Sequence, residues 1–234
     1  MKQTRGYINR TLLILMPLLF MSVGMANDIY VTQSGDTLDL DITQDGQNNT
    51  VGNSTTSSSS VGPTTTLNID QIGNSNVITY AINGATYTGV INLVGNSNNV
   101  DLNCDSTGGN SSCGTANAVI NFTGSSNDID LDIGQTSSAS TADVDIVGQS
   151  GSDSNVVAAT VDGNSAILTI TVNGDTNNWL IDIDGNGDVN GHTLIHTHTG
   201  GIADVDIVQS GINDQYINLT TSGDNHDIDI SQTD

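Results

Sequence analysis

The segment "INLVGNSNNVDL" at 91–102 restates "IDQIGNSNVITY" at 69–80: an aliphatic alternation, then Gly-Asn-Ser-Asn, then a second alternation. A phrase that recurs along a whole chain constrains the fold more than composition does, because each copy must form one unit of a stacked array. Taking the glycine as anchor, copies stand at Gly46, Gly73, Gly95, Gly124, Gly151, Gly174, Gly201 and Gly223, with Gly200 an equal candidate for the seventh. Neighbouring anchors lie 22 to 29 residues apart. Three residues after the glycine stand Asn49, Asn76, Asn98, Asn127 and Asn177; Asn155 comes one place late, and Asp204 and His226 fill the remaining copies.

Alternating aliphatics flank the anchors. Leu67 and Ile69, Leu168 and Ile170, or Ile217 and Leu219 precede them; Ile78 and Tyr80, Val100 and Leu102, or Ile228 and Ile230 follow. Period-two alternation on both sides of a glycine bend describes strand, turn, strand. Glycine supplies backbone angles that other residues resist, and an Asn side chain caps a turn. One such unit cannot bury its apolar row alone, whereas stacking on the next copy buries both. The expectation is an all-β fold: a β-solenoid of about eight strand-turn-strand repeats over residues 37–234, roughly 40 Å long at the spacing of neighbouring strands. A β-sandwich would explain the alternation but not the recurring Gly-x-x-Asn. The inserts "GNSTTSSSSVGPTTT", "NCDSTGGNSSCGT" and "GQTSSAST" read as surface loops.

Residues 1–26 have a different character. Lys2, Arg5 and Arg10 precede the apolar run "TLLILMPLLF", and small residues stand at Gly24 and Ala26. That is the layout of a secretory signal cut after Ala26, with an apolar run too short for the roughly 20 residues that span a bilayer. These are the chain's only basic residues; all 26 acidic residues, every one Asp, lie in 27–234. Without a cation the remaining chain cannot neutralise phosphates, which excludes nucleic acid and anionic membrane surfaces as partners. In an exported chain the near pair Cys104 and Cys113 reads as a disulfide closing one loop.

Three copies carry Gln two places before the glycine, "QDGQNN", "QIGNSN" and, with one extra residue, "QSGSDSN"; "QSGIND" repeats it out of phase. These resemble the curlin repeat, Gln-x-Gly-x-x-Asn followed by an alternating strand, found in subunits of bacterial curli fibres. The resemblance covers nearly all of 37–234. It implies a β-solenoid in which Gln44, Gln71, Asn49, Asn76, Asn98 and their equivalents point inward as hydrogen-bonded ladders. Leu93, Phe122, Val172, Thr199 and Thr221 take the Gln place in the other copies.

Catalytic chemistry is thinly supplied: after residue 26 there is no Glu, Lys or Arg, and the Asp residues fall in strand-like alternation such as "DIDLDI". This reads as no enzyme and no required cofactor. His196 and His198 share one strand face and read as polar surface. The segment "DIDGNGDVNG" alternates Asp182, Asp184, Asn186 and Asp188 with Gly187 at the sixth place, as in an oxygen-lined calcium loop, although Thr193 stands where a bidentate Glu would complete it. Calcium is therefore a candidate ligand, beside the reading of a plain glycine-rich turn.

Two function classes remain. One is a structural subunit of a secreted, cell-surface filament that polymerises with copies of itself, head to tail, by continued β-stacking. The other is a monomeric extracellular solenoid serving as adhesin or as a ligand- or ice-binding module. Residues 27–36, "NDIYVTQSGD", alternate without an Asn partner after their "QSG" and read as a strand segment forming a candidate inter-subunit junction. Ile29 and Val31 are expected to pack into a neighbouring subunit's open end. An unpaired strand edge is a template for another chain, which favours the filament.

Overall fold

The computed structural model describes residues 27–233 apart from 47, 53–57, 74, 96, 105–112, 135–140, 150, 152–153, 164, 185–191 and 212–214. The signal-like segment 1–26, Asn186 and Asp188 therefore lie outside the described residues. All described regular structure is strand. The chain runs β1 (Asn27–Ile29), β2 (Thr32–Ser34), β3 (Thr37–Asp45), β4 (Asn48–Val51), β5 (Ser58–Val61), β6 (Thr64–Ile72) and β7 (Ser75–Asn83). It continues through β8 (Thr86–Val94), β9 (Ser97–Cys104), β10 (Thr115–Thr123), β11 (Asp128–Gly134), β12 (Thr141–Gly148) and β13 (Val156–Asp162). The last six are β14 (Ser165–Asn173), β15 (Asn177–Asp184), β16 (Thr193–Thr199), β17 (Ala203–Ser210), β18 (Tyr216–Ser222) and β19 (His226–Thr233).

Every described pairing is parallel, and from β5 onward successive strands alternate between two sheets, which defines a β-solenoid. One sheet has eight strands in the order β18-β16-β14-β12-β10-β8-β6-β3. The other follows the path β1-β4-β7-β9-β11-β13-β15-β17-β19, with β2 and β5 completing the two levels at the N-terminal end. The coil count expected from the glycine anchors is the strand count of the first sheet. Part of the insert expected as a loop is strand: β5 and the start of β6 come from "SSSVGPTTT". Ser58–Val61 completes an edge against β2 and β7, and Thr64–Thr66 extends β6 along β3 and β8.

In-register parallel stacking makes each inward position a column. Val51, Ile78, Val100, Ile129, Val157, Trp179 and Val205 form one column, and Ile42, Ile69, Ile91, Ile120, Ile146 and Ile170 form the facing one; all are buried. Because a narrow two-sheet interior has fixed volume, a large side chain needs a small neighbour. The ring of Tyr87 lies over Gly89, where a Cβ would sit 2.5 Å from the hydroxyl. Phe122 is followed in its column by Gly148, where a Cβ would lie 2.7 and 2.8 Å from the ring and 2.9 Å from Val172.

The recurring glycine also has a stacking reason. A side chain at Gly73 would strike the carbonyl of Gly46, and one at Gly95 the carbonyl of Gly73. The corner backbone thus rises directly over the corner below it. Gly200, not Gly201, holds the seventh place: a Cβ on Gly200 would meet the Gly174 carbonyl, and one on Gly223 would meet Gly200. Gly151 stands apart from this column, with nothing near its Cβ direction. The fifth corner has six residues between Gly148 and Asn155 where the next has four between Val172 and Asn177, and Gln149 is exposed there while Gly148 takes the inward place.

Candidate functional site

The inward polar residues gather at the glycine corner. In-register stacking brings Asn49, Asn76, Asn98, Asn127, Asn155 and Asn177 into one buried column. The Asn76 amide donates to Asn98 at 2.8 Å, Asn98 to Asn127 at 2.6 Å, Asn127 to Asn155 at 2.6 Å, and Asn155 to Asn177 at 2.6 Å. Second donors cap the turn, Asn127 to the Gly124 carbonyl at 2.7 Å and Asn177 to Gly174 at 2.8 Å. The step from Asn49 to Asn76 is different, since Asn49 donates to the Ile72 carbonyl at 2.8 Å.

Asn27 is the first member of this column. It aligns with Asn49 and donates to it at 3.3 Å, so the column starts in the 27–36 segment, ahead of its "QSG". Gly24, three residues earlier, gives the same Gly-x-x-Asn spacing, but it lies in the segment read as a secretory signal. The column ends at Ala203, which aligns with Asn177 on one side and His226 on the other; Asp204 points outward.

The Gln column is short. Gln71 donates to Gln44 at 2.6 Å, and Gln44 donates to the carbonyl oxygens of Asn27 at 2.7 Å and Thr50 at 3.2 Å. Beyond Gln71 the place passes to Leu93, Phe122, Gly148, Val172, His198 and Thr221. Thr199 is exposed; His198 is the inward residue because the corner glycine is Gly200. A second Gln column stands at the opposite corner, where Gln232 donates to Gln209 at 3.0 Å and Gln33 occupies the matching place in β2. Out-of-phase "QSGIND" marks that corner. Its stacked glycines, with Gly62 over Gly35 and Gly84 over Gly62, went unread in the sequence because the other corner carries the longer phrase.

The histidines are interior groups, contrary to the expectation of polar surface. His192, His196 and His198 are buried, because β16 alternates Leu194, His196 and His198 toward the core. Trp179 meets His196 edge-on, with centroids 5.0 Å apart. His198 packs against His226 at 5.2 Å and places Nε2 2.7 Å from the Asn177 amide nitrogen and 3.0 Å from the Gly174 carbonyl. Neutral His198 protonated on Nδ1 accepts from Asn177; a proton on Nε2 is donated to Gly174 instead. Burial lowers the His196 pKa to about 4, with His198 adding to the effect. Burial also lowers that of His198, opposed by its contact with the Gly174 carbonyl.

Cys104 and Cys113 form the expected disulfide, with Cα atoms 5.7 Å apart. Cys104 fills an inward place beside Ile133, so the bond joins Cys113 to the core. The candidate calcium loop is not a loop throughout: β15 extends to Asp184, and Asp182 stands on it in register with Thr160 and Val208. Among the described residues no group of three or more His, Cys, Asp or Glu could hold a metal ion.

The two ends of the coil are the remaining distinctive surface. At the N-terminal end Ile29, Leu38 and Leu40 are half-buried; at the C-terminal end Ile217, Leu219 and Ile228 are half-buried and Ile230 is 47% exposed. Among the described residues β1, β2 and β3 pair on one edge only, as do β18 and β19. Among the described residues, therefore, no further strand continues the aliphatic columns at either end. Compared with protein-family models, with curated proteins and with solved structures, the chain matches none.

Proposed function

We propose that this chain is a structural subunit of an extracellular filament, exported through residues 1–26 and assembled head to tail with copies of itself by continuing the β-stack. It does no chemistry in this reading and needs no cofactor. The observation that carries it is the pair of open ends. Core columns that are fully buried in the middle coils emerge half-exposed at both ends, each beside a strand with a free edge. Such an edge offers main-chain groups for a further strand, and the columns supply matching side-chain places.

The outer faces support an axial over a lateral contact. Asp and Asn pair in rows on both outer faces: Asn68 donates to Asp41 at 2.8 Å on one sheet and Asn103 to Asp132 at 3.2 Å on the other. With no cation in 27–234, face-to-face approach of two coils is repulsive. The resemblance to curlin repeats points the same way. Electron microscopy of the purified 27–234 chain, concentrated in moderate salt, tests the reading. Unbranched filaments one coil wide are the expected result. A folded chain that stays monomeric at high concentration refutes it and leaves the adhesin or ligand-binding solenoid in its place.

A further inference from the structure

A rigid copy of this coil cannot be stacked on another with both sheets paired. Among the described residues one sheet has nine levels, from β1 with β2 to β19, and the other has eight, from β3 to β18. The first and last described strands, β1 and β19, lie in the same sheet. If β1 and β2 of an incoming copy pair with β19, a full strand is missing between β18 and the incoming β3. If the incoming β3 pairs with β18, then β1 and β2 claim the place that β19 already fills. Resting on the filament reading, we propose that β1 and β2 are a displaceable cap. On assembly the preceding copy's β19 takes their place against β4 and β5, while its β18 pairs with β3.

The interior columns fit this junction. With β18 beside β3, Ile217 aligns with Leu40 and Leu219 with Ile42, and Thr221 meets Gln44 at the polar corner. With β19 beside β4, Ile228 aligns with Val51 and His226 with Asn49. Each pair extends a column already present in the coil. The cap is also the weakest level. It aligns through three residues on β4, Asn27–Ile29, and three on β5, Thr32–Ser34, whereas β19 aligns with β17 over eight consecutive residues. Ile29 packs on this chain's own core and the Val31 carbonyl accepts from Ser59 at 2.7 Å, so both residues are engaged before any neighbour arrives. The apparent affinity of one end for another is then set by the uncapped fraction.

Elongation of sheared filament fragments by three full-length 27–234 chains tests the proposal, with strand circular dichroism verifying each fold. Asp28 and Thr50 are in-register outward neighbours, so Asp28→Cys with Thr50→Cys locks the cap in place by a disulfide. The locked chain is expected to elongate roughly tenfold more slowly than the intact chain, and to match it after reduction when both receive the same reductant. Ile29→Asp, which weakens the cap, is expected to elongate faster than the intact chain. Elongation of the locked, oxidised chain at the intact rate overturns the displacement while leaving the filament standing. Slowed elongation by Ile29→Asp does the same, because Ile29 would then be the docking residue. If the intact chain itself never elongates, the filament reading falls and the junction with it.

Discussion

Trp179 and His196 meet edge-on inside the coil, ring centroids 5.0 Å apart and planes inclined by 66°. His196 sits in register with Ile170 and Leu219, and neither of its ring nitrogens has a hydrogen-bond partner among the described residues. A protonated imidazole there would be a charge with nothing to solvate it, and burial accordingly lowers its pKa from 6.5 to about 4. In the unfolded chain His196 takes up its proton near pH 6.5; in the fold it resists until about pH 4. Stability is thus full above the unfolded value and declines as the pH falls through this window. The decline is about 3 kcal/mol, with His198 contributing in the same direction. The expected measurement is a denaturation midpoint that drops between pH 7 and pH 4.5 in the intact chain and drops far less in His196→Leu. Parallel curves for the two would place the acid sensitivity elsewhere.

Phe122 and Gly148 share a column and fit only together. A methyl group at Gly148 would press on the ring and on Val172, so Gly148→Ala is expected to cost about 1–3 kcal/mol. Phe122→Leu opens the space that this methyl group needs. The double variant should therefore be more stable than the sum of the single changes predicts, by about 1 kcal/mol. Urea unfolding of the four chains gives the coupling, and additive effects would mean that the ring and the glycine do not share one volume.

The Asn column offers a test of buried amide stacking. Asn127→Ala removes the donor to Asn155 and to Gly124 and the acceptor for Asn98, leaving buried amide groups without their partners. The expected loss is about 2–4 kcal/mol. Asn178→Ala, two coils on and exposed on the outer face, should change stability by less than about 0.5 kcal/mol. Equal losses at the two positions would show that Asn127 acts through strand propensity instead of through the ladder.

The sequence conveyed the solenoid well because stacking fixes register, and register forces period-two alternation with glycine at crowded corners. Asn155 illustrates how far this goes: one residue out of phase in sequence, it still stands in the ladder between Asn127 and Asn177. What was not legible depended on which of two neighbours faces inward. His198 and Thr199, or Gly200 and Gly201, are equivalent choices until the carbonyl of Gly174 below selects Gly200. The histidines looked like surface because imidazole is usually solvated. Only the alternation with Leu194, which sets His196 in register with Ile170 and His198 with Val172, shows them as interior groups. The rung mismatch at the ends was also hidden, since it depends on Asn27 opening a level of its own.

Stacked carboxylates set the last prediction. On the outer face Asp130 stands in register with Asp101, and its pKa is raised by partial burial first and then by Asp101 and Asp128. Elsewhere the chain dilutes such rows with amides, as where Asn99 donates to Asp128 at 3.4 Å and Asn103 to Asp132 at 3.2 Å. A carboxyl whose folded pKa lies above its unfolded value of 3.8 weakens the fold wherever it is ionised. That penalty is complete above the folded pKa and disappears as the pH falls below the unfolded one. Asp130→Asn is therefore expected to raise the melting temperature at pH 7, and to lose this advantage near pH 3. Added salt should narrow the gap from the other side, because screening at an ionic strength of about 1 M shortens the reach of charge to roughly 3 Å and relieves the intact chain more than the variant. Melting curves of both chains at two pH values and two salt concentrations decide it. An unchanged or lower melting temperature for Asp130→Asn at pH 7 in low salt would show that the Asp rows are held by contacts outweighing their mutual repulsion.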